Sequence, residues 1–150
     1  MHQLKSTIFL VTILSISAIF SRSQSLITVK QDGTGNFTTI QEGVEYATND
    51  DTVLVWPGIY YENVTILDKY IVIGSLTLTT GNPQYVNQTI INGNQSGSCM
   101  VINNSTDTTI VWGFTLINGS GYNIGTYSGG GSHIRYSNVG MYECCLLYTS

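Results

Sequence analysis

Charge is what this 150-residue sequence has least of. Asp, Glu, Lys and Arg together make up 9% of it, against about a quarter in an ordinary soluble domain. The hydrophobic fraction is still 42%, so Asn, Thr, Ser, Gly and Tyr stand where charge is missing. That balance excludes a disordered chain, which needs few hydrophobic residues and high net charge. Cations are the scarcest group. Lys5 and Arg22 fall in the opening segment, leaving Lys30, Lys69 and Arg135 against nine acids over residues 24–150, a net of −6. That is the wrong sign for gripping a phosphate backbone, and nucleic-acid binding is excluded. Cysteine is sparse as well. Cys99, Cys144 and Cys145 close no disulfide framework and show no zinc-ligand spacing, so they read as small hydrophobes in strands.

Long apolar runs are also scarce. The one exception is Ile8 to Phe20, 13 residues that Ser21, Arg22, Ser23 and Gln24 bring to an end, short of the roughly 20 needed to span a bilayer. With Lys5 before it and Ser21 and Ser23 at the −3 and −1 positions, residues 1–23 read as a signal peptide cut before Gln24. Residues 24–150 are then one domain. A secreted or cell-surface protein is expected, with no membrane span in the mature chain.

The domain has one helical stretch. Ile40, Val44 and Ala47 recur at i, i+4 and i+7, and Thr38 stands three residues before Gln41, a capping-box spacing. Around it the chain reads as short strands. Leu26 to Lys30 comes first, then the turn Asp32-Gly-Thr-Gly-Asn36. Thr52 to Trp56 is stopped by Pro57-Gly58. Strands are predicted at 63–67, 70–74, 76–79, 88–92, 99–103, 109–112, 113–118 and 133–136. Val53, Val55, Ile71, Ile73, Ile90, Val101, Ile110 and Phe114 are expected to point inward.

Ile91-Asn92-Gly93 returns as Ile117-Asn118-Gly119, 26 residues later, and Asn103 also ends an apolar strand. A recurring strand–Asn–turn unit points to a solenoid. An antiparallel sandwich competes, because Asn-Gly is also a hairpin dipeptide. The helix near the mature start and the rung-like interval favour a right-handed parallel β-helix with a short N-terminal capping helix. About five coils are expected, at a period near 20–26 residues. Stacked strands repeat identical positions about 4.8 Å apart, where Asn can form ladders and like charges would repel. The final stretch, Glu143 to Ser150, shows no capping helix, Pro or charge after Glu143, so a chain incomplete at its C-terminus is expected.

These residues carry a family resemblance. Asp32-Gly-Thr-Gly-Asn-Phe-Thr-Thr-Ile-Gln-Glu-Gly-Val44 resembles the opening of pectinesterases, D-G-S-G-[DN]-F-x-T-I-Q-x-A-V. Val55-Trp-Pro-Gly-Ile-Tyr-Tyr-Glu-Asn-Val64 is similar to the following I-x-P-G-x-Y-x-E-x-V segment, and Tyr70 to Gly74 to the next strand. Thr89 to Asn94, Gly113 to Gly119 and Gly129 to Gly131 resemble bacterial right-handed β-helix repeat proteins. The likeness covers most of residues 27–131 and implies the pectin-lyase-like β-helix. For an esterase it also implies two catalytic Asp, an Arg and oxyanion-stabilising Gln on later rungs, and none of those motifs is visible here.

No catalytic, cofactor-binding or metal-ligating residue is assigned, and no cofactor is expected. Asp32, Asp50, Asp51, Asp68 and Asp107 all read as turn or helix-end residues. Asp32 to Asn36 lacks the terminal acidic ligand of a calcium loop, since position 43 is Gly. His133 has no nucleophile partner and reads as a surface strand residue. Trp56 and Trp112 suit the coil interior or its flanks, with sugar stacking as the alternative. Asn36, Asn63, Asn87, Asn94, Asn103, Asn104 and Asn118 each open an N-x-[ST] sequon. The expected function is a secreted or cell-surface β-helix protein that binds a glycan or surface partner without catalysis in this segment. The alternative is the N-terminal part of a pectin-active esterase or lyase.

Overall fold

A computed structural model of the chain describes residues 23–121 and 130–147. The signal-peptide expectation, Gly129 and the last three residues therefore lie outside the described part. Twelve short strands and three helices make up its regular structure. Sheet A stacks β1 (Leu26–Val29), β2 (Thr52–Val55), β5 (Val72–Ser75), β8 (Thr108–Trp112) and β11 (Asn138–Tyr142) in that order. Sheet B stacks β3 (Gly58–Tyr61), β6 (Thr89–Asn92), β9 (Thr115–Ile117) and β12 (Cys145–Leu147). Sheet C stacks β4 (Val64–Leu67), β7 (Met100–Asn103) and β10 (Ser132–Arg135).

Every strand pairing is parallel, and from β2 onward the chain visits A, B and C in turn. Parallel strands joined by crossovers coil right-handed in nearly all proteins. The architecture is the parallel β-helix, and the hairpin sandwich is excluded.

The rung interval is less regular than the sequence suggests. Leu26 pairs with Thr52, Thr52 with Val72, Val72 with Ile110 and Thr108 with Asn138, giving steps of 26, 20, 38 and 30 residues. The longest step holds two short helices between its strands on sheets A and B, and such insertions cost little entropy per added residue. The Asn-Gly repeat does fall on stacked strands, but Asn92 stands over Ile117 rather than Asn118.

Inward columns run along each sheet. Ile27, Val53, Ile73 and Val111 stack in A, Tyr60, Ile91 and Leu116 in B, and Ile66 and Ile102 in C, each no more than 2% exposed. Val53, Val55, Ile71, Ile73 and Phe114 point inward as expected. Ile90, Val101 and Ile110 do not. They are half-exposed, and Ile91, Met100, Ile102, Thr109 and Val111 take the interior. In those runs both alternating sets are largely apolar, and a one-residue slip exchanges the faces.

Two further elements depart from expectation. Gly58–Tyr61 continues as strand β3 beyond Pro57. Leu76 to Thr79, predicted as a strand, instead belongs to helix α2 (Thr77–Thr80), followed by α3 (Gln84–Gln88). The Ser75 hydroxyl accepts from the Thr77 amide and Gly81 closes the helix at φ 68°. Leu78 then lies against Gly74, where a Cβ would be 2.8 Å from its Cδ2. Tertiary packing has overridden strand propensity.

Helix α1 (Ile40–Tyr46) covers the first coil and buries Ile40, Val44 and Ala47, while Glu42 and Glu45 face solvent. Its N-cap is Thr39 rather than Thr38. Thr39 Oγ1 accepts from the Glu42 amide at 3.3 Å, and the Glu42 carboxylate accepts back from the Thr39 amide at 3.3 Å. Two overlapping threonine boxes occur in the sequence, and Gln41 is drawn away to Thr65.

Candidate functional site

The five aspartates are distributed over the coil's turns. Asp32 Oδ1 accepts from the Thr34 amide and hydroxyl, which holds its carboxyl below the usual carboxylate range. These two bonds close the Asp32 turn on itself. Asp51 Oδ1 accepts from the Ser25 amide and Oδ2 from the Thr48 amide and hydroxyl. Asp68 is bonded to Asn104, and Asp107 Oδ1 accepts from the Thr108 amide. Asp50 and Asp68 sit at φ 72° and 54°, a left-handed turn geometry that Asp tolerates better than most residues. Among the described residues no cluster of three His, Cys, Asp or Glu is placed to hold a metal ion.

Asn side chains do comparable work between rungs. Asn63 Nδ2 donates to the Ser98 carbonyl at 2.9 Å, and Asn138 Nδ2 donates to Thr108 Oγ1 at 2.9 Å. Asn36 Oδ1 accepts from both the amide and the hydroxyl of Thr28. Neutral groups can satisfy buried turns in a stack without accumulating like charge. That explains the composition in physical terms.

The tryptophans lie on the flanks of the coil, and part of each ring is taken. Lys30 Nζ sits 4.3 Å from the centre of the Trp56 ring. Trp112 stacks on Tyr142 at 4.9 Å between ring centres, one directly above the other in register on sheet A. Cys99 is buried and donates to the Ile117 carbonyl, as expected of a small core hydrophobe, and Cys144 packs against the core. Burial pushes the thiols of Cys99 and Cys144 up. All three cysteines are free thiols.

His133 is more than a plain surface residue. It stands in register with Val101 and Thr65 on the outer face of sheet C. There it closes a cleft of about 300 Å³ between the sheet and the loop carrying Ser96 and Ser98. Asn63 braces the wall: its Oδ1 accepts from Ser96 Oγ at 2.6 Å while its Nδ2 holds the Ser98 carbonyl. His133 Nε2 is buried without a hydrogen-bond partner, and so is Oδ1 of Asn103 on the neighbouring strand. The cleft thus offers hydroxyl, amide and imidazole groups above the apolar side chain of Val101. Sequence reading missed it because Asn63, Ser96 and His133 lie far apart along the chain, and the 20–26-residue period did not stack them.

Charge was similarly informative once placed. Glu62 accepts from the amides of Ile40 and Gln41 at 3.0 and 2.9 Å, at the N-terminus of α1. Lys69 Nζ donates to the carbonyls of Val44, Glu45 and Ala47 at its other end. In a chain this poor in charge, an isolated Glu and Lys near a helix were the available signal.

Comparison with known proteins gives a partial likeness. The chain is 40% identical over 73 residues to the Arabidopsis thaliana protein called probable pectinesterase/pectinesterase inhibitor 12, and 38% identical over 80 residues to the one numbered 41. The matches take in 42% and 47% of this chain and 13% of each relative. The chain therefore spans a small fraction of the length of the curated relatives it matches. No family model and no solved structure matches it. The sequence likeness to these pectinesterase-named proteins thus covers less than half of a chain that folds as a parallel β-helix. No described helix is long and apolar enough to cross a membrane.

Proposed function

We propose that this chain is a secreted or cell-surface β-helix protein that binds a pectin-type polysaccharide and performs no catalysis in the segment at hand. The observation that carries the reading is the cleft on sheet C, lined by hydroxyl, amide and imidazole groups, with the buried Nε2 of His133 unspent. Sugar sites combine a concave, partly apolar floor with a few convergent polar groups, and this cleft has that make-up. The pectin likeness of the matched relatives supplies the substrate class. Against catalysis stand Asp32, Asp51, Asp68 and Asp107, whose carboxylates are each engaged in hydrogen bonds at turns. Paired carboxylates acting as nucleophile and acid must face one reacting centre.

A second reading has its own support. Both relatives are named for pectinesterase activity, and the matches take in 13% of each. On that reading this chain is the opening part of a pectin-active esterase or lyase whose catalytic rungs lie elsewhere. Incubation of the intact chain with methyl-esterified pectin, with released methanol measured, separates the two. Methanol at the level of the buffer blank is expected, and release proportional to protein concentration overturns the non-catalytic reading.

A further inference from the structure

The outer face of sheet C carries two buried, unpartnered polar atoms on adjacent strands. His133 pairs in register with Val101 and Arg135 with Asn103, so Asn103 is the diagonal neighbour of His133 on the adjacent strand. Oδ1 of Asn103 and Nε2 of His133 both lack a partner. A buried polar group left unsatisfied is costly, and native structures retain few of them. We propose that the cleft beside His133 is a subsite for one neutral, hydroxyl-rich ring, a neutral monosaccharide unit of a polysaccharide, with His133 as its unpartnered hydrogen-bonding group. This deepens the glycan-binding reading above and rests on it.

The chemistry of this nitrogen selects the ligand. His133 Nε2 accepts or donates according to its tautomer. A hydroxyl both donates and accepts and satisfies either arrangement. A carboxylate only accepts and satisfies only one of them. Among the described residues no Asp, Glu, Lys or Arg lines the cleft. Arg135 on the same strand is turned to its neighbour, its guanidinium 4.8 Å from the Tyr136 ring centre and its Nη2 donating to the Tyr136 hydroxyl at 3.1 Å. A carboxylate entering here would lose hydration with no cation to compensate. Val101 supplies an apolar floor for the C–H face of a ring. The volume, about 300 Å³, is at the small end for ligand pockets and suits one ring. The Asn63–Ser96–Ser98 bonds hold the opposite wall in place before any ligand arrives, which lowers the ordering cost of binding.

Isothermal titration of the intact chain with β-1,4-galactotetraose and with tetragalacturonate tests the assignment. The neutral tetramer is expected to bind at least about tenfold more tightly than the uronate, and His133→Phe is expected to weaken it by at least about tenfold, the loss of one good hydrogen bond. Val101→Trp, which fills the cleft, should abolish binding, and Tyr142→Ala on sheet A should leave it unchanged. Preferential binding of the uronate, or unaltered affinity in both cleft variants, overturns the subsite while glycan binding stands. Binding of neither tetramer, with no retention on pectin, overturns both.

Discussion

Gln41 serves Thr65 as the next strand would. Its Nε2 donates to the Thr65 carbonyl at 3.3 Å and its Oε1 accepts from the Thr65 amide at 2.8 Å. Because β4 is the edge of sheet C, this one carboxamide seals backbone groups that would otherwise template pairing with another chain. Gln41→Leu keeps much of the volume and removes both bonds. It should lower stability by about 1–3 kcal/mol, read as a lower urea midpoint. An unchanged midpoint shows that the edge is not sealed this way.

Lys69 anchors the opposite end of α1. Three carbonyls converge on its ammonium, a position where the helix dipole also favours positive charge. Lys69→Met retains the aliphatic stem, so any loss reports the hydrogen bonds. A destabilisation of about 1–3 kcal/mol is expected, with amide hydrogen exchange accelerating first in residues 40–47. Uniform acceleration across all rungs contradicts an anchoring role.

Gly43 faces the core from α1. A Cβ there would be 2.8 Å from Val29 Cγ2 and 3.2 Å from Val53 Cγ1. Gly→Ala gains roughly 1 kcal/mol of helix propensity, whereas overpacking a close-packed site costs about 1–3 kcal/mol. Strain should win, since both obstructing methyls belong to stiff, fully buried valines. Gly43→Ala is therefore expected to melt below the parent. A higher melting temperature shows that the helix can lift at little cost.

Tyr60 makes stability depend on alkaline pH. It is 1% exposed and its hydroxyl donates to the Trp56 carbonyl. Burial, reinforced by Glu62 and Asp32, pushes its pKa up to about 12. Unfolded, the residue deprotonates near pH 10. Between about pH 10 and 12 the native state holds more protons, so stability falls as pH rises, with a slope approaching about 1.4 kcal/mol per pH unit from this residue. Its full contribution is present below about pH 10. Tyr60→Phe should be less stable at neutral pH and flatter across that window. The same slope in both proteins assigns the alkaline loss to other groups.

Much of the coil was legible in the sequence, for a physical reason. The β-branched runs ended by Asn, Gly and Asp mark strands and turns locally, and Ile40, Val44 and Ala47 mark the cap. Facing was legible only where one alternating set was clearly more apolar. In Ile90-Ile91 and Met100-Val101-Ile102 both sets fit the interior, and partners on other rungs decide: Tyr60 and Leu116 for Ile91, Val64 and Ile66 for Met100 and Ile102. Leu76 to Thr80 shows the reverse limit, where a smooth surface at Gly74 turns a strand-like run into a helix. The cleft was least legible. It joins residues from β10, the segment before β4 and the loop before β7, and unequal intervals between rungs conceal their stacking.

Affinity electrophoresis of the intact chain through gels containing pectin tests the central claim most directly. The account predicts migration retarded in proportion to pectin concentration, and relieved by soluble neutral oligosaccharide or by Val101→Trp. Migration identical with and without pectin would contradict it.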